Sequence, residues 1–156
     1  MAYKIIKGDL LETNADVICH QVNLQGVMGG GLALSIAKKY PNVNKIYEDY
    51  EPKKLGEVCF ADAGNFTVAN CFSQTEDFNT DYKALRECLL KVRKHMIDCG
   101  YRTVAIPYKY GCGIANGDWE TVFDIFNDIF FKYELLIYQK WGDSYGAFPR
   151  VCSHKK

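Results

Sequence analysis

The chain has 156 residues, 48% of them hydrophobic and 24% charged, which suits one globular domain able to bury about two-thirds of its unfolded surface. Lys+Arg and Asp+Glu both number 19, so broad binding to a nucleic-acid backbone is not expected, nor is direct sequence-specific contact with nucleic acid. The 7 cysteines are scattered, without a C-x-x-C pair or histidines at zinc-like spacing, and no apolar run is long enough to span a bilayer; reduced thiols in a cytoplasmic protein are expected, with no metal, no cofactor and no membrane partner.

Residues 3–6 read as a strand, closed by Lys7-Gly8-Asp9-Leu10. A mostly apolar second strand covers 16–21 and leads to Gly29-Gly30-Gly31, after which Leu32, Ala33, Ile36, Ala37 and Tyr40 fall at helical spacing. Pro41 ends that helix, and a further helical piece covers 43–50. Residues 57–61 and 66–71 resemble a hairpin around Asp62-Ala63-Gly64-Asn65. From Asp81, the positions Leu85, Leu89, Val92 and Met96 lie on one face of a long helix, with Asp81 as N-cap and Gly100 as its stop. Residues 103–106 make a short strand before Pro107, followed by a second glycine-rich loop, Gly111 to Gly117. A helix over 119–131 and a last strand over 134–138 complete a domain spanning 1–141, with 142–156 as an irregular tail. Alternating strands and helices indicate an α/β layered sheet with helices on both faces.

Both glycine loops follow a strand and precede a helix, the place where open α/β sheets bind ligands. Bare amides at a helix N-terminus seat phosphate, and two facing loops suit a diphosphate; tight packing alone is the other use for such glycines. Neither is a nucleotide fingerprint. The first lacks the Gly-Lys-Ser/Thr of a P-loop, and the second misses G-x-G-x-x-G by one residue and lies too late for a Rossmann opening.

Lys7-Gly8-Asp9-Leu10, His20-Gln21-Val22-Asn23, Gly26-Val27-Met28-Gly29-Gly30-Gly31-Leu32-Ala33, Ile106-Pro107, Gly111-Cys112-Gly113-Ile114 and Gly117-Asp118-Trp119-Glu120 together resemble a macrodomain over about residues 3–140. The spacing is most similar to the branch with terminal ADP-ribose glycohydrolases and ADP-ribose-1″-phosphate phosphatases. The resemblance implies a three-layer α/β/α sandwich with a central mixed sheet and, as partner, ADP-ribose or an ADP-ribosylated substrate. It further implies that Asp9 accepts from the adenine amine beside Leu10, and that Asn23 lies near the distal ribose. Val27, Met28, Gly29, Gly30, Gly31 and Leu32 match the first phosphate loop, and Gly111, Cys112, Gly113, Ile114, Ala115 and Asn116 the second. Tyr138 matches an aromatic packed on adenine. From the residues alone, Asp9 as a turn cap, Asn23 as a turn residue and Tyr138 as core stay open.

The related glycohydrolases use a lysine after the strand that ends here at Asn70-Cys71 and an aspartate in the second loop; this chain has Phe72-Ser73-Gln74 and Ala115-Asn116 there. His20 aligns with a histidine of phosphatase-type members and, at a pKa near neutrality, is the candidate general acid or base, with Asn23 as the second catalytic candidate; a strand-end histidine satisfied by hydrogen bonding is the other reading of His20. Ser73 and Cys112 are candidate neighbours of the distal ribose, and Asn23, Gln74 and Asn116 candidate orienters of a water. Two functions follow: hydrolysis of an ADP-ribose derivative at the distal ribose, or binding of ADP-ribose without turnover.

Overall fold

The computed structural model describes residues 2–112 and 115–140. Gly113, Ile114 and the expected tail at 142–156 lie outside them. Strands β1 (Ala2–Lys7), β2 (Val17–Val22), β3 (Val58–Asp62), β4 (Thr67–Phe72), β5 (Thr103–Pro107) and β6 (Glu134–Gln139) form one sheet in the order β1-β6-β5-β2-β4-β3. Every neighbouring pair is parallel except β3 with β4, which is antiparallel. The sheet is therefore mixed, as the resemblance implies.

Period-two alternation sorts the strand side chains between two cores. Val17, Cys19, Ala69, Cys71, Val104 and Ile106 face the apolar sides of α3 (Tyr82–Cys99) and α4 (Trp119–Ile129), among them Leu85, Leu89, Val92, Phe123 and Phe126. Ile18, Val68, Phe72, Ala105 and Leu136 face α1 (Gly31–Lys39) and α2 (Pro41–Asp49) through Ile36, Val43 and Tyr47. The result is a helix–sheet–helix sandwich.

Local signals explain the helix ends. Asp81 caps α3 by accepting from the Ala84 amide at 2.8 Å, and Gly100 closes it in the left-handed region. Asp118 caps α4 by accepting from the Thr121 amide at 3.0 Å. Pro41 ends α1 and also opens α2 at once, because a first-turn position needs no N–H; α2 thus begins two residues before the predicted 43. A short 3-10 turn, Leu10–Glu12, was not expected. The parallel strands deliver the residues that follow β1, β2, β4, β5 and β6 to one edge of the sheet.

Candidate functional site

At that edge a cavity of about 700 Å³ is lined by Gln21 and Asn23 from the end of β2, Gly29 and Gly30 before α1 and Gly31 at its start, and Lys109, Tyr110 and Gly111 after β5. Gln74 and Phe78, after β4, also line it. Its size falls in the usual range for small-molecule sites. A second cavity of about 270 Å³, lined by Gly8, Asp9, Leu11, Leu32, Ser35 and Lys140, adjoins it at Leu32.

The first glycine loop is open. Gly29, Gly30 and Gly31 are exposed, and Gly30 caps α1 with no side-chain hydrogen bond. Gly30 has extended backbone, φ −157°, and a Cβ built on it would meet nothing within 4 Å. Neither strain nor packing calls for glycine there, so the space above it is available to a ligand. The first turn of α1 leaves amide donors that the helix itself does not use, at the positive end of its dipole. The rest of the loop is shaped by Asn23, whose Nδ2 donates to the Val27 carbonyl at 2.9 Å. Its Oδ1 accepts from the Gln25 amide at 3.1 Å and from the Tyr47 hydroxyl at 2.8 Å. Burial pushes the Tyr47 phenol up to about 12, which keeps it a donor.

The second loop is braced. Gly111 has φ +68°, and a Cβ there would lie 2.8 Å from Thr80 Oγ1 and 3.1 Å from Gln21 Nε2. A Cβ on Gly117 would lie 2.6 Å from the Gly111 carbonyl oxygen. Thr80 Oγ1 donates to that same oxygen at 2.6 Å, the Gly117 amide donates to it at 2.9 Å, and the Thr80 amide donates to the Ala115 carbonyl at 2.8 Å. Behind the loop, Gln21 Nε2 donates to Ser73 Oγ at 3.1 Å and Thr80 Oγ1 at 3.2 Å, while the Ser73 and Tyr110 hydroxyls pair at 2.9 Å. Lys109 and Asn116 both hold left-handed backbone, φ +60° and +61°, uncommon outside glycine.

The remaining expected residues divide. Asp9 lines the smaller cavity and also caps the 3-10 turn, its Oδ1 accepting from the Leu11 amide at 2.9 Å. Val27, Leu32 and Ala115 line the larger cavity, whereas Leu10 and Met28 are buried in the core facing α1 and α2. Tyr138 lines neither cavity; its hydroxyl donates to Thr13 Oγ1 at 2.8 Å. Ser73 is fully buried, and its hydroxyl pairs with Gln21 and Tyr110, which line the site. Cys112 is half-buried, which pushes its thiol up to about 12 and away from the thiolate. Gly113 and Ile114 lie outside the described residues.

His20 corrects one expectation. Its pKa is not near neutrality: burial drives it down to about 4, against a smaller opposing effect from Asn70. The ring lines the larger cavity but is only 2% exposed, and Nε2 donates to Asn70 Oδ1 at 2.6 Å. The Asn70 amide is oriented in turn by donation to the Cys59 carbonyl at 2.9 Å. His20 is thus a neutral imidazole in a structural chain of hydrogen bonds.

Sequence reasoning missed Gln21, Phe78, Lys109 and Tyr110 as lining residues. Gln21 had a signal, since it is a polar residue at the carboxyl end of a central strand. Phe78 lies in a stretch without glycine or proline that reads as featureless, and nothing in Tyr108-Lys109-Tyr110 announces a left-handed turn.

Among the described residues no helix is long and apolar enough to cross a membrane, and no group of three or more His, Cys, Asp or Glu could hold a metal ion. Comparison with known proteins matches residues 19–126 to the Macro domain family. The chain is 27% identical to the ADP-ribose glycohydrolase OARD1 of Bos taurus, covering 85% of this chain and 86% of that one. It is 30% identical to an ADP-ribose 1″-phosphate phosphatase of Lodderomyces elongisporus, covering 77% and 88%. Among solved structures it superposes on the macrodomain of Mycobacterium tuberculosis DarG with TM-score 0.79 at 24% identity, over 87% of this chain and 96% of that one. Thermosipho africanus DarTG in complex with ADP-ribose gives TM-score 0.78 at 20% identity, over 96% and 44%.

Proposed function

The chain belongs to the Macro domain family, and from that premise we propose that it binds ADP-ribose across the strand ends. Adenine sits beside Asp9, the diphosphate between the two glycine loops, and the distal ribose toward the residues that follow β4. The observation that carries the reading is the unfilled seat at Gly30, where an extended glycine with open space above it begins a helix. A diphosphate there receives first-turn amides and the helix dipole. Gly111 and Ala115 of the second loop, held by Thr80, flank the seat from the other side, and such bracing lowers the cost of binding. Asp9, exposed and already acting as a cap, has a carboxylate suited to accept from an exocyclic amine.

The finer part of the proposal is hydrolysis of an ADP-ribose derivative at the distal ribose, either ADP-ribose-1″-phosphate or an ADP-ribosyl adduct. The names of the two relatives favour it. The chain's own groups restrict how it would proceed. No Asp or Glu is among the described residues lining the larger cavity, and His20, buried with its pKa lowered to about 4, is a weak base. Gln74 supplies an amide that can orient a water but cannot accept its proton. The proton would therefore pass to the substrate's own phosphate oxygens or to solvent. The same lack of a carboxylate favours the second reading, an ADP-ribose binder without turnover.

Isothermal titration with ADP-ribose, followed by mass spectrometry of a panel of ADP-ribosylated substrates, tests both parts. Saturable one-to-one binding with release of ADP-ribose from a panel member is the expected result. Binding with no release from any member leaves the binder reading, and no binding overturns both.

A further inference from the structure

Residues 74–80 form a small closed hairpin between β4 and α3. Gln74 and Thr80 pair as an isolated antiparallel bridge, the Thr75 amide donates to the Asn79 carbonyl at 2.8 Å, and the Phe78 amide donates to the Thr75 carbonyl at 2.8 Å. Its base is tied down by the Thr80 contacts to Gly111 and Ala115 and by the Asp81 amide donating to the Ser73 carbonyl at 2.9 Å. At the tip Phe78 has φ +62°, a conformation that bulky side chains rarely adopt, and it is 45% exposed. A large apolar ring kept both strained and wet, on an anchored hairpin, lines the larger cavity. Strain of this kind concentrates at ligand sites.

The sheet order fixes which end of the site this is. Asp9 follows β1 at one edge, whereas Phe78 follows β4, on the far side of β2 from β5, β6 and β1. A ligand with its base at Asp9 and its diphosphate between the glycine loops must direct whatever lies beyond the diphosphate toward Phe78.

We propose that Phe78 is a specificity-determining residue that covers the sugar beyond the diphosphate, so that the site selects ADP-ribose over ADP. The inference rests on the ADP-ribose reading given above. The ring offers its face to the sugar's C–H groups and sheds water when covered, while ADP, which ends at the diphosphate, leaves it uncovered. The Phe78 ring reports on the distal end only, and adenine and diphosphate contacts are shared by both ligands.

The test is calorimetric titration of ADP-ribose and ADP into the wild type, Phe78→Asn and Phe78→Tyr. Asn adopts left-handed backbone readily but has no apolar face, and Tyr keeps the ring. Phe78→Asn should lose about tenfold in ADP-ribose affinity, with ADP affinity unchanged within about twofold and an unaltered melting temperature. Phe78→Tyr should restore ADP-ribose binding to within about threefold of the wild type. Equal losses for both ligands, or no loss for either, overturn the role of Phe78 while leaving the ADP-ribose reading intact. A wild type that binds neither ligand overturns both.

Discussion

The two glycine loops occupy equivalent places, each after a parallel strand and before a helix, yet glycine serves different ends in them. Gly30 has ordinary extended backbone and empty space where a side chain would go. Gly111 has a left-handed φ and two side chains pressed against its missing Cβ, and Gly117 abuts the Gly111 carbonyl. Gly30 leaves its space free for the proposed ligand, whereas Gly111 and Gly117 are required by their close neighbours. A glycine-rich motif thus says where a backbone is exposed or crowded, but only its surroundings say which.

The largest effect expected from this contrast is on stability. Gly111→Ala must place a Cβ against Thr80 and Gln21 at positive φ, and should cost about 3–5 kcal/mol in urea unfolding. A loss under about 1 kcal/mol would mean that the second loop is not braced. Gly30→Glu should do the reverse. Its melting temperature should stay near that of the wild type, while a carboxylate about 4 Å from a diphosphate weakens ADP-ribose binding on the order of 1,000-fold. Unchanged affinity by calorimetry would remove the phosphate seat.

A third test asks whether acid–base chemistry lies between the loops. His20 has its folded pKa lowered to about 4 from 6.5, so the unfolded chain binds more protons between those values. The stabilising contribution is fully present above pH 6.5 and is lost as pH falls toward 4. Relative to His20→Gln, the wild type should lose about 2 kcal/mol between pH 7 and pH 5. An NMR titration of the His20 ring with a midpoint near 6.5 would restore it as a candidate general acid or base. The smallest effect is expected at Asp9, where removing the cap by Asp9→Ala should cost about 1 kcal/mol. The same change should lower ADP-ribose affinity about tenfold. Loss of stability without loss of affinity would make Asp9 a cap alone.

Much of this was readable beforehand, for local reasons. The β-branched and apolar runs of β2 and β5, the Asp81 and Asp118 caps and the Gly100 stop each announce themselves within a few residues, and those elements form where expected. Asp9 and Gly29 to Gly31, which line the cavities, were legible as candidates because they sit next to such elements. Where long-range packing decides, the residues alone left the alternatives open. His20 lies at a strand end, where burial lowers its pKa to about 4 while its ring pairs with Asn70, 50 positions away. Met28 belongs to the glycine motif yet turns into the core, and Tyr138 spends its hydroxyl on Thr13. Phe78 was invisible because its place at the cavity comes from a hairpin closed by Gln74 and Thr80, not from any local pattern.

The most direct measurement is a crystal structure of the protein with ADP-ribose. The diphosphate should lie within hydrogen-bonding distance of the amides that begin α1, opposite the Gly111 loop, with adenine at Asp9. A ligand bound elsewhere, or one whose phosphates face solvent while the space above Gly30 stays empty, would contradict the account.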